Sequence, residues 1–468
     1  MVNVIKNMRY LQAVYIISAL VALCGAQWDA HFDQGRSTIV HLFEWKWDDI
    51  AQECESYLGP KGFGGVQISP PSENLVVSSS NRPWWERYQV VSYKLTTRSG
   101  DESALKSMID RCNAAGVRIY ADAVINHMTG MGGSGTAGSS ADSDNKNYPG
   151  VPFGSGDFHS SCTVNNYQDA SNVRNCELVG LKDLDQSKDY VRQKIVEYLN
   201  HLVDLGVAGF RVDAAKHMWP ADLAAIYGGL KDSKFGGKPF IYQEVIDLGG
   251  EAVKKTEYTQ LGNVLDFEYG SRLGGMFQNR DKLTYLKNWG TEWGLLDGLA
   301  ATCFIDNHDN QRDGGDGILT YKKSKQYKMA IAFMLAHPYG TARIMSSYDF
   351  NDKDQPPPQD SQGNIIGAGF NQDGTCTNGW ICEHRWREIA NMVAFRNIAL
   401  GTEITKWWSN GDNQIAFGRG DKGFVAFTQG GDLNQGLETM LPDGTLVENN
   451  VCIHSDNVAN LYNNLLYS

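Results

Sequence analysis

The sequence predicts an α/β protein built on a (β/α)8 TIM barrel, with a small domain inserted after the third strand and a short C-terminal β domain. Eight short β-branched runs alternate with longer amphipathic runs, and eight is the number of parallel strands that closes a barrel. A long polar stretch interrupts this alternation after the third run. From about residue 410 the pattern changes to short alternating runs with Gly-rich turns, which indicates an added β-sheet.

The predicted barrel strands are the short β-branched runs, and the predicted helices are the longer runs with apolar residues at helical spacing. The strand candidates are residues 38–43, 65–69, 117–124, 208–212, 240–245, 264–267, 300–305 and 342–345. The helix candidates between them include residues 103–115, 189–205, 220–230 and 322–336.

The inserted domain is predicted over residues 126–188. This stretch is rich in Gly, Ser, Asn and Asp, and compact domains rarely contain so long a loop without structure of its own. The barrel is therefore expected in two parts, residues 27–125 and 189–409, and the shortened C-terminal β domain is expected over residues 410–468.

The charge balance argues against two classes of partner. The chain has 42 Lys and Arg against 54 Asp and Glu, and its formal net charge is −12. An acidic chain is repelled by phosphate backbones and by anionic membrane surfaces, so neither is an expected partner. The 12 Trp and 21 Tyr provide many flat rings, which suits a site that stacks on sugars.

The first 26 residues resemble a secretory signal peptide. Lys6 and Arg9 precede an apolar run at residues 10–23, and the small residues Gly25 and Ala26 follow it. A signal anchor is the alternative, but the run is short for a bilayer. We therefore expect a secreted, extracellular protein with no membrane attachment after cleavage.

Eight cysteines remain once Cys24 leaves with the signal, and an oxidising compartment allows them to pair. Cys162 with Cys176, and Cys376 with Cys382, are close enough in sequence to join local loops. No Cys/His spacing suits zinc, so a zinc site is not expected.

Acidic residues interrupt the carboxyl ends of four predicted strands, where barrel enzymes carry their chemistry. The segments are residues 122–127, 209–217, 242–245 and 304–309. Burying a carboxylate costs several kcal/mol unless it is paired or functional. Four such interruptions in one barrel therefore predict an active site.

These four segments, in this order, resemble the α-amylase family of glycoside hydrolases, family 13, and especially its animal and insect members. The supporting strings are HLFEWKW at 41–47, PWWERYQ at 83–89, VRNCELVGL at 173–181, AHPYG at 336–340 and EHRWR at 383–387. The likeness covers residues 27–441. It also implies the pairing of Cys54 with Cys112, and of the two local cysteine pairs.

The resemblance assigns catalytic roles to three acids. Asp213 matches the nucleophile, Glu244 the general acid/base, and Asp309 the carboxylate that stabilises the transition state. Retaining glycosidases need an ionised carboxylate to attack and a protonated one to release the leaving oxygen. Arg211 precedes Asp213 by two residues on the same strand face, so we expect it to keep the pKa of Asp213 low. The alternative for each acid is a loop cap or a surface ion pair.

The resemblance also implies a substrate-binding set that combines histidines with aromatic rings, which stack on the apolar faces of pyranoses. Its members are Trp84, Trp85, Tyr88, Gln89, His127, Arg211, Lys216, His217 and His308. The alternative is ordinary core packing for the rings and a structural role for each histidine.

A calcium site is implied at Asn126, Arg174, Asp183 and His217. Calcium prefers oxygen ligands, so Asn126 and Asp183 would use their side chains, and Arg174 and His217 their backbone carbonyls. The site would join the inserted domain to the barrel. A hydrogen-bonded junction without metal is the alternative.

A chloride site is implied at Arg211, Asn307 and Arg343, which match the anion ligands of chloride-dependent animal amylases. Two arginines without an obvious acid partner make a plausible anion site. The alternative is a structural arginine paired with a carboxylate.

The chain departs from the family pattern in two places. The loop at residues 311–317 is shorter than usual and lacks a histidine, which puts its contact with substrate in doubt. The C-terminal domain is short, so we expect an exposed strand edge and lower stability, unless the gene model is incomplete. Cys452 lacks its usual partner, and Cys303 is expected to pack as a small hydrophobe.

We expect a secreted, monomeric α-amylase that binds calcium and chloride and hydrolyses internal α-1,4 links of starch, glycogen and maltooligosaccharides with retention. An α-glucosidase acting on short maltooligosaccharides is the alternative within the enzymes. A catalytically impaired paralogue that only binds carbohydrate is the alternative outside them, motivated by the shortened C-terminus. An extracellular domain of a membrane complex is disfavoured because the N-terminal apolar run resembles a cleavable signal.

Overall fold

The computed structural model describes residues 26–441 and the backbone of residues 450–454. The predicted signal peptide, apart from Ala26, and the side chain of Cys452 lie outside the described residues. Among the helices that are described, none combines the length and the apolar character needed to cross a membrane.

The predicted barrel is confirmed: eight parallel strands close on one another, with β8 paired to β1 and Ile39 in register with Arg343. The strands are β1 Ser37–Leu42, β2 Phe63–Ile68, β3 Arg118–Ala123, β4 Gly209–Val212, β5 Phe240–Gln243, β6 Asn263–Leu265, β7 Ala301–Cys303 and β8 Thr341–Ser346. Almost every strand residue is buried, which explains why these segments do not alternate between apolar and polar residues.

Helices alternate with the barrel strands, and two of their ends show clear capping. The helices are α1 Trp47–Glu53, α2 Glu102–Ala114, α3 Ala170–Asn175, α4 Asp189–Leu205, α5 Pro220–Gly228, α6 Phe267–Phe277, α7 Asn310–Asp313, α8 Ser324–Ala336 and α9 Arg387–Ile398. Asp101 caps α2 by accepting from Ala104 N at 2.9 Å. Gly206 ends α4 with a φ of 107°, a left-handed conformation that favours glycine.

The segment between β3 and α4 contains α3 and a small hairpin, Gly133–Ser134 with Ser140–Ala141. Buried Glu73, in the loop after β2, accepts hydrogen bonds from Ala137 N at 2.9 Å and Ser139 N at 2.8 Å. A carboxylate that satisfies two backbone donors fixes this segment against the barrel, so its residues keep a defined position over the β3 and β4 ends.

A second sheet follows the barrel, with strands β9 Ile404–Ser409, β10 Gln414–Arg419, β11 Gly423–Thr428 and β12 Asn450–His454. Their order is β9-β10-β11-β12, and β12 pairs parallel to β11. Phe417 and Phe427 pack on Phe333 of α8, with ring centroids 5.9 and 5.6 Å apart. The lower stability expected from an exposed strand edge stays a prediction.

Three disulfides join described residues, and they are the expected pairs Cys54–Cys112, Cys162–Cys176 and Cys376–Cys382. The first links the residue after α1 to α2, and the second lies beside α3 in the inserted segment. Cys303 on β7 is buried and free, and it packs as the expected small hydrophobe.

Candidate active site

A cleft of about 460 Å³ lies at the carboxyl ends of the barrel strands. Asp213 follows β4 directly, Glu244 follows β5, and Asp309 lies in the loop after β7, and all three acids line this one cleft. All the predicted substrate contacts except Arg211 line it too: Trp84, Trp85, Tyr88, Gln89, His127, Lys216, His217 and His308. Residues from separate strand ends therefore meet around a hollow that a sugar ring can enter.

Arg211 lies beneath the cleft rather than in its wall, and its side chain is only 1 % exposed. Its Nη1 contacts Asp122 Oδ1 at 2.7 Å and Asp213 Oδ1 at 2.6 Å, and its Nη2 contacts Glu244 Oε1 at 2.7 Å. Direct contact of Arg211 with substrate is expected from the resemblance, but Arg211 is not among the residues that line the cleft. Its position instead orients two of the three candidate catalytic acids.

Burial governs the protonation of the acids. It raises the pKa of Asp213 well above its ordinary value, and the Arg211 guanidinium only partly offsets that shift. The expectation that Arg211 would hold the pKa of Asp213 low is therefore wrong, because desolvation outweighs the ion pair. Desolvation, followed by the negative charge of Glu244, raises the pKa of Asp309 to about 7. Burial also raises the pKa of Asp122, so three neighbouring carboxyls, those of Asp122, Asp213 and Asp309, hold their protons to higher pH than exposed ones do.

The aromatic side of the cleft is held by ring contacts and hydrogen bonds. Tyr88 stacks on His308 at 5.3 Å, and Trp84 meets the same imidazole edge-on at 5.4 Å. His308 Nε2 is 3.2 Å from Asp309 Oδ2, so this wall adjoins a candidate catalytic acid. Burial lowers the pKa of His127 to about 4, so it is neutral, and its Nε2 bonds Tyr88 O at 3.0 Å.

The four predicted calcium ligands come from elements that meet at one junction. Leu184 N bonds Asn126 O at 3.0 Å, and the His217 ring bonds the carbonyl of Val173, next to Arg174, at 2.8 Å. The Arg174 guanidinium itself pairs with Glu257, so the oxygen that Arg174 could offer a cation is its backbone carbonyl.

Two buried oxygens at this junction lack a hydrogen-bond partner, Asn126 Oδ1 and Asp183 Oδ1. The other Asp183 oxygen is 2.7 Å from His159 Nδ1, and burial raises the pKa of the Asp183 carboxyl to about 7. Hard oxygens left without donors suit calcium. Among the described residues, no three His, Cys, Asp or Glu side chains are placed so that they could hold a metal ion together. A calcium site here would therefore depend on the Asn126 amide and on backbone carbonyls as well as on Asp183.

The three predicted chloride ligands each have a buried donor without an acceptor: Arg211 Nε, Asn307 Nδ2 and Arg343 Nη2. Asn307 is oriented because its Oδ1 accepts from Asn310 N at 2.7 Å, which turns its amide nitrogen away from that turn. Arg343 Nη1 donates to the neutral Gln67 at 2.9 Å. Unpaired donors on two arginines and an amide have the chemistry of an anion site.

The chain matches the sequence profile described as "Alpha amylase, catalytic domain" over residues 56–233, and "Alpha amylase, C-terminal all-beta domain" over residues 407–459. It is 70% identical over 436 residues to an α-amylase of Tribolium castaneum, covering 92% of this chain and 89% of that one. It is 68% identical over 425 residues to an α-amylase of Tenebrio molitor, covering 90% of each. The chain belongs to the α-amylase family.

Solved structures agree with that assignment. A Glu-to-Gln variant of α-amylase I from Eisenia fetida, in complex with maltohexaose, has a TM-score of 0.85 and 46% identity, and the match covers 88% of each chain. The α-amylase family generally binds calcium and often chloride. The expected identification as a glycoside hydrolase of the insect α-amylase type is confirmed.

The rest of the lining of this α-amylase cleft, called the apolar wall below, was missed by sequence reasoning. It is largely apolar and is formed by Tyr167, Leu178, Val179, Leu181, Ala214, Ile246 and Glu251. Val179 is 84 % exposed and has a φ of 45°, which is rare for a β-branched residue. Lys216 Nζ lies 4.7 Å from the Tyr167 ring centroid, donates to Ile246 O at 2.7 Å, and also pairs with Glu251. No periodic pattern marks these residues, because they come from separate loops.

Proposed function

We propose that this α-amylase hydrolyses internal α-1,4-glucosidic bonds of starch, glycogen and maltooligosaccharides with retention of anomeric configuration. The observation that carries the proposal is the meeting of Asp213, Glu244 and Asp309 around one cleft with aromatic and apolar walls. Aromatic faces bind pyranose rings. In retaining hydrolysis one carboxyl group attacks the anomeric carbon and a second transfers protons to and from the oxygens of the leaving group and of water.

In the first step the Glu244 carboxyl gives its proton to the glycosidic oxygen while an Asp213 oxygen attacks the anomeric carbon. The C–O bond to the leaving sugar breaks, and a glycosyl ester forms on Asp213. In the second step Glu244 takes a proton from water, whose oxygen attacks the anomeric carbon and releases Asp213. Each step passes through an oxocarbenium-like state, whose positive charge the Asp309 carboxylate stabilises.

The other side chains bind and orient substrate. Glu244 is held for proton transfer by Arg211 at 2.7 Å and by Ala214 N, which donates to its Oε2 at 2.9 Å. His127 and His308, both with pKa values lowered by burial, are neutral and suit hydrogen bonding to sugar hydroxyls. Trp84, Trp85 and Tyr88 supply the stacking wall, and the apolar wall of the cleft excludes water from the reacting bond.

Asn126, Asp183, and the carbonyls of Arg174 and His217 would hold calcium, and Arg211, Asn307 and Arg343 would hold chloride. A bound calcium supplies structural cross-linking of the inserted segment to the barrel, and a bound chloride supplies negative charge behind the acids. His217 also lines the cleft, so order at the junction and order at the active site are linked through this residue.

The proposal includes secretion and action as a monomer. Three disulfides among the described residues suit an oxidising compartment. Mass spectrometry of the secreted protein tests cleavage after Ala26, and light scattering tests the monomer; an uncleaved N-terminus or a dimer would contradict these parts.

The catalytic proposal is tested by digesting starch with the purified protein and with Glu244→Gln. We expect mixed oligosaccharides and an α-configured product from the parent protein, and a loss of about 10³-fold or more in kcat from the variant, because the acid is removed. Glucose as the single product would indicate an α-glucosidase instead. Equal activity of the two proteins would exclude Glu244 as the acid/base, and binding without hydrolysis by both would indicate an impaired paralogue.

A further inference from the structure

Arg312, in the shortened loop after Asp309, lies within a cage of aromatic rings. Its guanidinium carbon is 5.2 Å from the ring centroid of Phe43, 5.3 Å from Trp84, 5.2 Å from Tyr348 and 4.3 Å from Phe350. A cation that faces several aromatic rings is attracted by the negative potential of each ring face, and more strongly where water is excluded. The cage therefore compensates for removing this charge from water.

Hydrogen bonding alone does not account for the position of Arg312. Its Nη1 donates to His308 O at 2.6 Å, but its Nε and Nη2 are buried without an acceptor. Buried donors without partners cost free energy, so a merely structural arginine would be expected to satisfy them. The arrangement instead holds a guanidinium between the rings and the backbone of His308.

Arg312 contacts two parts of the cleft, the Trp84 ring and the turn that carries Asp309. Trp84 lines the cleft, and its Nε1 donates to Lys353 O at 2.7 Å, which leaves its ring free to face Arg312. His308 precedes Asp309 and contacts its carboxylate at 3.2 Å, and Arg312 N also donates to Asp309 O at 2.9 Å. A single side chain thus touches the stacking wall and the turn that carries the transition-state acid.

We propose that Arg312 is a positioning residue that holds the Trp84 ring and the Asp309 carboxylate in a fixed relation across the cleft. The inference rests on the proposed function, because it takes Asp309 as the stabilising acid. Arg312 is half-buried and does not line the cleft, so it acts through these two residues and not on the sugar. The loop at residues 311–317 lacks the histidine that is usual in the family, and through Arg312 it would still contribute to the order of the cleft.

The charge of Arg312 gives the proposal a distinctive readout. Glu244 and Asp122 raise the pKa of Asp309, and Arg211 and Arg312 lower it. His308 and Tyr88 also face this carboxyl; the pKa of His308 is lowered by burial, and that of Tyr88 is raised by burial. Loss of the Arg312 charge therefore raises the pKa of Asp309 and moves the acidic limb of the pH profile to higher pH, because Asp309 must be ionised.

The test compares Arg312→Gln and Arg312→Lys in starch hydrolysis across pH, with Lys322→Met as the matched control. Lys322 lies on the same Phe350 ring at 3.8 Å, but no contact joins it to Trp84 or His308 among the described residues. We expect Arg312→Gln to lower kcat about tenfold or more, with KM changed less than about threefold, and to move the acidic limb upward. Arg312→Lys should keep the acidic limb and recover part of kcat, and the control should match the parent.

Wild-type kcat in Arg312→Gln, or equal losses in the Gln and Lys variants with an unmoved acidic limb, would overturn the proposal. If circular dichroism shows that Arg312→Gln does not fold, Arg312→Lys decides alone: it must show a lower kcat with an unmoved limb, because lysine lacks the planar contact with Trp84. The proposed function fails separately, through an inactive parent protein or an active Glu244→Gln.

Discussion

Arg211 and Glu244 form a buried ion pair in which Nη2 and Oε1 are 2.7 Å apart. The same guanidinium also contacts Asp213 and Asp122, so one cation serves three carboxylates. Because any carboxylate added to this group disfavours ionisation of the others, the protonation of the candidate catalytic acids depends on residues that do not line the cleft.

Asp122→Asn tests that dependence. Asp122 is fully buried and does not line the cleft, and its charge raises the pKa of both Asp213 and Asp309. Its removal should therefore lower those pKa values and move the acidic limb of kcat/KM to lower pH, with kcat reduced less than about tenfold because the hydrogen bonds can persist. The measurement is the pH profile on starch, with exposed Asp110→Asn as control. A limb that moves upward would contradict the shared-charge explanation.

Glu383→Gln should change how stability depends on pH. Burial raises the pKa of Glu383 from 4.5 to about 7, although Ser347 N donates to its Oε2 at 2.7 Å. A carboxyl with a raised folded-state pKa supports folding below its unfolded pKa, and that support is lost as the pH rises through about 7. Relative to the parent, the variant should gain up to about 3 kcal/mol between pH 4 and pH 8.

Urea unfolding at a series of pH values measures this difference, and exposed Glu403→Gln is the control because its side chain faces solvent. Parallel stability curves for the parent and Glu383→Gln would show that Glu383 does not titrate in this range.

The barrel could be predicted from sequence because each buried parallel strand is a continuous local signal. The same holds for Asp213 and Glu244, which directly follow β4 and β5, so their convergence follows from strand order. The apolar wall at Tyr167, Val179 and Ile246 could not be predicted, because the fold brings two parts of the inserted segment together with the distant loop after β5. Sequence patterns record local periodicity and not the approach of loops.

The pKa of Asp213 also could not be predicted from the sequence. The spacing of Arg211 and Asp213 predicts their contact correctly, at 2.6 Å, but gives the wrong direction for the pKa of Asp213. Desolvation depends on everything that packs around a group, including Asp122 from a different strand. Only the tertiary structure shows that burial outweighs the ion pair.

Asp183→Asn should abolish stabilisation by calcium. Asp183 is the one charged side chain among the proposed calcium ligands. Its Oδ1 and the Oδ1 of Asn126 are buried and accept no hydrogen bond. At a free calcium concentration of about 100 times Kd, the parent should gain about 2.7 kcal/mol, and chelation should remove that gain. Thermal unfolding against free calcium measures it, with exposed Asp144→Asn in the same inserted segment as control. A variant that keeps the parent's calcium response would exclude this site.

Arg343→Gln should weaken the dependence of activity on chloride. The Nη2 of Arg343 is a buried donor without an acceptor, and its loss leaves Arg211 Nε and Asn307 Nδ2 to hold an anion with one positive charge fewer. That Arg211 charge is already shared with three carboxylates, so the remaining attraction is small. Activity should therefore rise with chloride in the parent and in the control Arg111→Gln, which removes a half-buried arginine outside the cleft, at constant ionic strength. It should respond at least about tenfold less sensitively in Arg343→Gln. An activity-versus-chloride curve that Arg343→Gln leaves unchanged would mean that these three donors serve another purpose, such as binding ordered water.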